Sequence, residues 1–152
     1  MKTKIQSFLA ALFLLAGVVN AQCVMTSQYG SATAPTTGSV NFSTCSFFGE
    51  YSPLNSAAAA TTYTCSITNS GYVTITQGSA TGPVVAFGAS PLTWSTTVAG
   101  TYYAHWAQNA ACATSVACQT TTVAYVGPSA ACTNPAAGGT AQCSPAMACP
   151  GQ

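Results

Sequence analysis

Between Tyr63 and Gln77 the chain reads YTCSITNSGYVTITQ, and this stretch decides the fold class. Tyr63, Cys65 and Ile67 alternate with Thr64, Ser66 and Thr68, Asn69-Ser70-Gly71 interrupts, and Val73 and Ile75 alternate with Thr74 and Thr76. A period of two belongs to a strand, because successive side chains point to opposite faces of a sheet. The pattern predicts a hairpin through the Asn-Ser-Gly turn. Tyr63, Cys65, Ile67, Val73 and Ile75 form its apolar face, and the threonines and Ser66 turn toward water. A lone hairpin is only marginally stable in water, so the apolar face requires a second layer.

The flanks supply that layer. Val40 and Phe42 alternate with Ser39, Asn41 and Ser43, and residues 49–55 (GEYSPLN) read as a strand whose Pro53 points to a sheet edge. Residues 57–60 are a connector. Further strands are predicted over 84–87, 92–98, 101–107 and 120–126, separated by 78–83, 88–91, 99–100 and a cysteine-bounded loop. About seven to nine short strands in about 100 residues predict an all-β fold. The expected architecture is a small antiparallel β-sandwich, jelly-roll or immunoglobulin-like, stapled by disulfides.

Residues 1–21 have the form of a secretory signal. Lys2 and Lys4 precede the apolar run from Phe8 to Val19, too short to span a bilayer comfortably, and Val19-Asn20-Ala21 offers a cleavage site before Gln22. The expected division is therefore signal peptide 1–21, β-sandwich domain 22–126 and a Cys/Pro/Gly-rich tail 127–152, with no membrane insertion after cleavage.

Beyond the signal, Glu50 is the only charged side chain and His105 the only histidine. Nucleic-acid binding and adsorption to anionic lipid both need Lys or Arg, so both classes are excluded. Solubility must rest on Ser, Thr, Asn and Gln, and nearly uncharged surfaces tend to associate, which points to self-association or surface attachment. Disorder fits poorly, because aromatic residues are spaced through residues 29–125.

All eight cysteines lie after the signal, where export favours disulfides. Cys112 and Cys118 bracket the short loop ATSVA and are expected partners. Cys23 and Cys45 bracket an N-terminal excursion whose closure would contribute about 3 kcal/mol in the chain-entropy model. Cys65, on the apolar face, reads as a free buried thiol, with pairing to a tail cysteine as the alternative. Cys132, Cys143 and Cys149 carry no assigned partner. No CxxC pair occurs and the single histidine lacks finger spacing, so neither metal nor cofactor is expected.

Catalysis is not expected either. A single carboxylate rules out a paired-carboxylate mechanism, no GxSxG elbow is present, and any acid-base pair would have to join Glu50 to His105. Glu50 reads instead as an acceptor for local backbone or hydroxyl donors. In YYAHWA, Tyr103, His105 and Ala107 share one face and Tyr102, Ala104 and Trp106 the other, and His105 reads as structural.

Two functional readings follow. Trp94, Tyr102, Tyr103 and Trp106 supply enough aromatic surface to stack on a neutral polysaccharide or a peptide, giving a module for adhesion or glycan contact. The same rings suit a sandwich core. The alternative is a structural spacer or self-associating module that meets other surface proteins through a surface of hydroxyls from Thr62, Thr64, Thr74, Thr76 and Thr120 to Thr122. Exposed aromatics favour the first reading. A smooth Thr/Ser surface over buried aromatics favours the spacer or adhesive one.

Four further segments carry a resemblance: Ser27-Gln28-Tyr29-Gly30; Ser43-Thr44-Cys45 with Gly49-Glu50-Tyr51; Gly82 to Gly88 (GPVVAFG) leading to Pro91-Leu92-Thr93-Trp94; and Gly100-Thr101-Tyr102-Tyr103 with Asn109 to Cys112. On these, the chain from Cys23 to about Val126 resembles a recurrent, mostly uncharacterised module of secreted Bacteroidetes and Flavobacteria proteins. The resemblance implies a place near the N-terminus of a long multidomain surface or secreted protein, often exported by the type IX pathway with a C-terminal sorting domain. The tail, from Cys132-Thr133-Asn134-Pro135 through Gly138-Gly139-Thr140 to Cys149-Pro150-Gly151-Gln152, looks like the opening of an immunoglobulin-like repeat. An N-terminal fragment of a longer protein or a truncated gene product is therefore expected, with a cysteine-stapled C-terminus as the alternative.

Overall fold

The computed structural model describes residues 22–129; the expected signal segment, the tail from residue 130, and Cys132, Cys143 and Cys149 lie outside the described residues. Ten strands occur: β1 (Ser27–Gln28), β2 (Ala32–Thr33), β3 (Ser39–Phe48), β4 (Glu50–Ala57), β5 (Thr61–Ile67), β6 (Tyr72–Gln77), β7 (Val84–Ala89), β8 (Leu92–Ser95), β9 (Gly100–Ala107) and β10 (Ser115–Pro128). No helix is found among the described residues.

The antiparallel pairs β3/β10, β4/β9, β5/β8 and β6/β7 nest inside one another like the two arms of one long hairpin. That hairpin is rolled so that β10 also pairs with β5 and β9 with β6. One sheet then runs β3-β10-β5-β8 and the other β4-β9-β6-β7, with β1 and β2 added parallel to β4 on its far side. This is the jelly-roll wrapping, which settles the choice between the two expected topologies.

The predicted hairpin at Tyr63 to Gln77 does not form. Strand β5 pairs with β10 and β8, β6 pairs with β7 and β9, and the link between them crosses from one sheet to the other. Tyr63, Cys65, Ile67, Val73 and Ile75 are all buried as expected, but they meet across the sandwich rather than side by side on one sheet. Alternation fixes which side chains face inward and leaves the partner on each strand edge unspecified. The crossing is tight: a Cβ on Gly71 would lie 2.7 Å from the Ile67 side chain and 2.8 Å from the Phe48 ring, so any side chain there would have to displace them.

The main core lies between the sheets. Trp106 meets Phe42 edge-on at 5.6 Å, and Trp94 bridges Tyr63 and Tyr102 at 5.8 and 5.0 Å. A smaller cluster of Cys23, Met25, Tyr72 and Ala107 covers part of the other side of the β4-β9-β6-β7 sheet. That cover corrects a second expectation, because Thr74 and Thr76 point out of the main core yet are fully buried. Thr74 Oγ1 accepts from the Cys23 amide at 3.1 Å, and the Thr76 hydroxyl donates to the Ser79 carbonyl at 2.8 Å.

Pro53 is not on an edge strand, since β4 has neighbours on both sides. Tyr51 and Asn55 each turn a carbonyl toward the β1/β2 side, accepting from Tyr29 and Ala34, so by alternation the nitrogen of Pro53 faces that side too. It does so where the ladder breaks between β1 and β2. There Gly30, at φ +67°, brings the chain so close to β3 that a Cβ would sit 2.5 Å from the Phe42 carbonyl oxygen. The missing donor of proline costs no ladder bond at such a break.

All four expected cysteines are bridged, with the partners exchanged. The disulfides are Cys23–Cys112 and Cys45–Cys118, with Cα–Cα distances of 5.2 and 4.3 Å. Ser115 has already joined β3 opposite Phe48, so Cys118 runs beside β3 and its Cys45, while Cys112 sits in the preceding turn against the N-terminal segment. Proximity along the chain carried no information about which strand lay alongside. Cys65 is free and buried, as expected, and burial pushes its thiol up to about 12. Two disulfides are consistent with an oxidising extracellular environment.

Candidate functional site

Strand β9 alternates as predicted, with Tyr102, Ala104 and Trp106 toward the main core and Tyr103, His105 and Ala107 on the opposite face. The inward placement removes most of the proposed aromatic platform. Trp106 is 0% exposed, Tyr102 1% and Trp94 3%, and a ring without an exposed face cannot stack on a ligand. Their polar atoms are satisfied internally. Trp106 Nε1 donates to Ser52 Oγ at 3.0 Å, Trp94 Nε1 to Cys65 Sγ at 3.3 Å, and the Tyr102 hydroxyl to the Val98 carbonyl at 2.8 Å. Only Tyr103 is half-exposed, with its ring against Tyr51 at 5.9 Å.

Glu50 and His105 each bond to groups other than one another. Glu50 Oε2 accepts from the Phe47 amide at 2.7 Å and so closes the β3-β4 turn, in which Gly49 adopts φ +115°. His105 is fully buried. Its Nδ1 accepts from the Met25 amide at 2.9 Å, which leaves the ring proton on Nε2, donating to Thr76 Oγ1 at 3.1 Å. Thr76 passes the chain on to the Ser79 carbonyl. Burial pushes the His105 pKa down to about 4, so the ring is neutral at ordinary pH. Among the described residues no group of three or more His, Cys, Asp or Glu side chains is placed to hold a metal ion.

The outer face of the β3-β10-β5-β8 sheet presents a different chemistry. In β5 the core takes Tyr63, Cys65 and Ile67, so Thr62, Thr64 and Ser66 point outward; in β8 it takes Trp94, so Thr93 and Ser95 point outward. Register aligns these into rows. Thr93 and Thr64 stand opposite, with hydroxyls 2.8 Å apart, followed by Ala124 and Ser39 on the next two strands. Ser66, Thr122 and Asn41 form a second row, in which Thr122 donates to Asn41 Oδ1 at 3.0 Å. Ser95 and Thr62, the latter buried, begin a third at 2.9 Å. Rows and strands place these groups about 6.8 Å apart along a strand and about 4.8 Å apart across strands.

This face holds several of the threonines named from the sequence, with two kinds of correction. Thr74 and Thr76 belong to the other sheet and are covered, and Thr121 faces inward, where its hydroxyl meets Ser46 Oγ at 3.1 Å. Asn41, Thr93 and Ser95 were missed. The alternation of Leu92 and Trp94 with Thr93 and Ser95 carried the signal for two of them. No protein-family model, curated protein or solved structure matches the chain.

Proposed function

We propose that the domain is a non-catalytic adhesive module of a larger secreted or cell-surface bacterial protein, contacting neutral hydroxyl-bearing surfaces, polysaccharide foremost, through the outer face of the β3-β10-β5-β8 sheet. The observation that carries this reading is the uncharged Thr/Ser/Asn array on that face, while Trp94, Tyr102 and Trp106, three of the four rings of the aromatic platform, are buried. Hydroxyls aligned in rows offer both donors and acceptors to a partner with the same groups, and no charge has to be desolvated on contact. Export is supported by the signal-like segment and the two disulfides, and the bacterial setting by the resemblance to the Bacteroidetes module.

The test is binding of the exported, oxidised chain to insoluble cellulose and chitin, with the parent compared with Thr64→Glu and Thr122→Glu. A hydrated carboxylate in the middle of the array is expected to weaken binding by at least about tenfold, equivalent to about 1.4 kcal/mol. Val116→Glu, at an 84% exposed position in the segment between Cys112 and Cys118, should bind as the parent does. Loss of binding in Tyr103→Ala alone would move the contact to the Tyr51–Tyr103 pair. A folded chain that binds neither polymer would leave the spacer reading in its place.

A further inference from the structure

Apart from the hydroxyl face, β7 offers an open edge: it is the last strand of its sheet and pairs with no strand other than β6 among the described residues. The sequence Val84-Val85-Ala86-Phe87-Gly88-Ala89 contains no charge and no proline, the usual devices that blunt an exposed edge. Val85 and Phe87 are 40% and 37% exposed, and Ala89 is exposed on the same face as Phe87. A bulge interrupts the pairing with β6 between Ile75 and Thr76, but from Ala86 to Ala89 the register is regular.

The backbone of that regular segment is oriented for pairing. The Ser90 amide donates to the Gly71 carbonyl, so Tyr72 and Ala89 form a non-hydrogen-bonded pair, and Val73/Gly88 and Ile75/Ala86 are the hydrogen-bonded pairs. The N–H and C=O groups of Phe87 and Ala89 therefore point away from β6, into the open edge. An unpaired edge of this kind accepts another strand.

We infer that the open edge of β7 pairs antiparallel with β7 of a second copy of this chain, about a twofold axis at Phe87, joining two sheets into one. Self-complementarity argues for a copy rather than another partner. Centring the axis on Phe87 sets Phe87 opposite Phe87, with Ala89 on the same face of each strand and the exposed Val85 at the bulge beside it, so two apolar strips close over one another. Charge argues the same way. Glu50, the only charged side chain among the described residues, sits in β4 with β9 and β6 between it and β7. A copy thus meets no like charge, and a charged partner would find no counter-charge. Tyr72, whose ring lies 6.5 Å from Phe87, backs the new contact. Edge pairing of one short strand buries a small area, so the dimer forms at concentrations on the order of 0.1 to 1 mM, a strength suited to modules held close together in an assembly. The inference does not rest on the adhesive reading, because edge and hydroxyl face belong to different sheets.

Sedimentation velocity on the exported chain over that concentration range tests it, with Phe87→Lys and Phe87→Glu alongside. The parent is expected to dimerise. Each variant alone should weaken the dimer by at least about tenfold, since the twofold axis brings like charges together, and an equimolar mixture of the two should restore it. Phe87 lies on the surface, so both variants should keep the fluorescence of buried Trp94 and Trp106. Hydrogen exchange gives an independent readout: the amides of Phe87 and Ala89 should exchange fast in dilute solution and gain protection as concentration rises. A strictly monomeric parent, a dimer indifferent to both variants, or protection that ignores concentration and so reports cover from the chain's own tail would each overturn the pairing.

Discussion

His105 is the residue at which acid acts on this fold. Both ring nitrogens are engaged, Nδ1 by the Met25 amide and Nε2 by Thr76, and no carboxylate bonds to the ring to stabilise a cation. The buried neutral form holds its pKa at about 4, while an unfolded histidine titrates near its ordinary value of about 6.5. The unfolded chain therefore takes up the proton first as pH falls, and acid favours unfolding. Stability is complete above about pH 6.5, declines through the interval down to about pH 4, and loses on the order of 3 kcal/mol to this group. Urea midpoints measured from pH 7 to pH 4 should fall in the parent and stay nearly level in His105→Gln, whose starting stability is lower. A parallel decline in both would assign the acid sensitivity elsewhere. The sequence placed this histidine on the right face of its strand. Its burial was not legible, because it comes from residues 22–26 folding over the sheet, with Met25 reaching His105 from 80 positions away in the chain.

At the scale of elements, the same limit recurs. The strands were readable because alternation is local: the segments at 84–87, 101–107 and 120–126 all lie within observed strands, and the inward side chains of β5 and β6 were named correctly. Pairing was not readable, because it depends on which edge meets which. That is why β5 and β6 sit in different sheets, why Cys112 ignores Cys118 six positions on, and why the indoles of Trp94 and Trp106 looked as suited to a ligand as to a core. The Cys23–Cys112 bridge holds the link between β9 and β10, and Cys45–Cys118 ties the first residues of β10 to β3. They close loops with sequence separations of 89 and 73, for which the chain-entropy model gives an upper limit of about 4.5 kcal/mol each. Cys45→Ala/Cys118→Ala and Cys23→Ala/Cys112→Ala are each expected to lose up to that amount in denaturant unfolding. Removing both should cost less than twice as much, since the loops overlap. Full additivity would show that the two bridges act independently.

Over the whole molecule, the near-absence of charge makes the surface indifferent to salt. Raising ionic strength from about 0.01 to 0.15 M shortens the Debye length from about 30 to about 8 Å, a change that weakens any contact built on surface charge. Here the proposed self-association and the proposed contact with polysaccharide should both be unchanged across that range, as a salt titration of either would record. A marked salt dependence would point to charge outside residues 22–129. The Cys23–Cys112 bridge has a mechanical meaning as well. Tension applied between the start of the domain and the end of β10 passes through that bridge and leaves the backbone of residues 24–111 outside the covalent force path, so β10, pulled against β3 and β5, is the strand loaded directly. Only the stretch from Cys112 to Pro128 lies in the force path, and drawn out fully it spans about 55 Å, against about 350 Å if the whole domain were loaded. Under load the domain yields a short, fixed length and then holds as a covalent link.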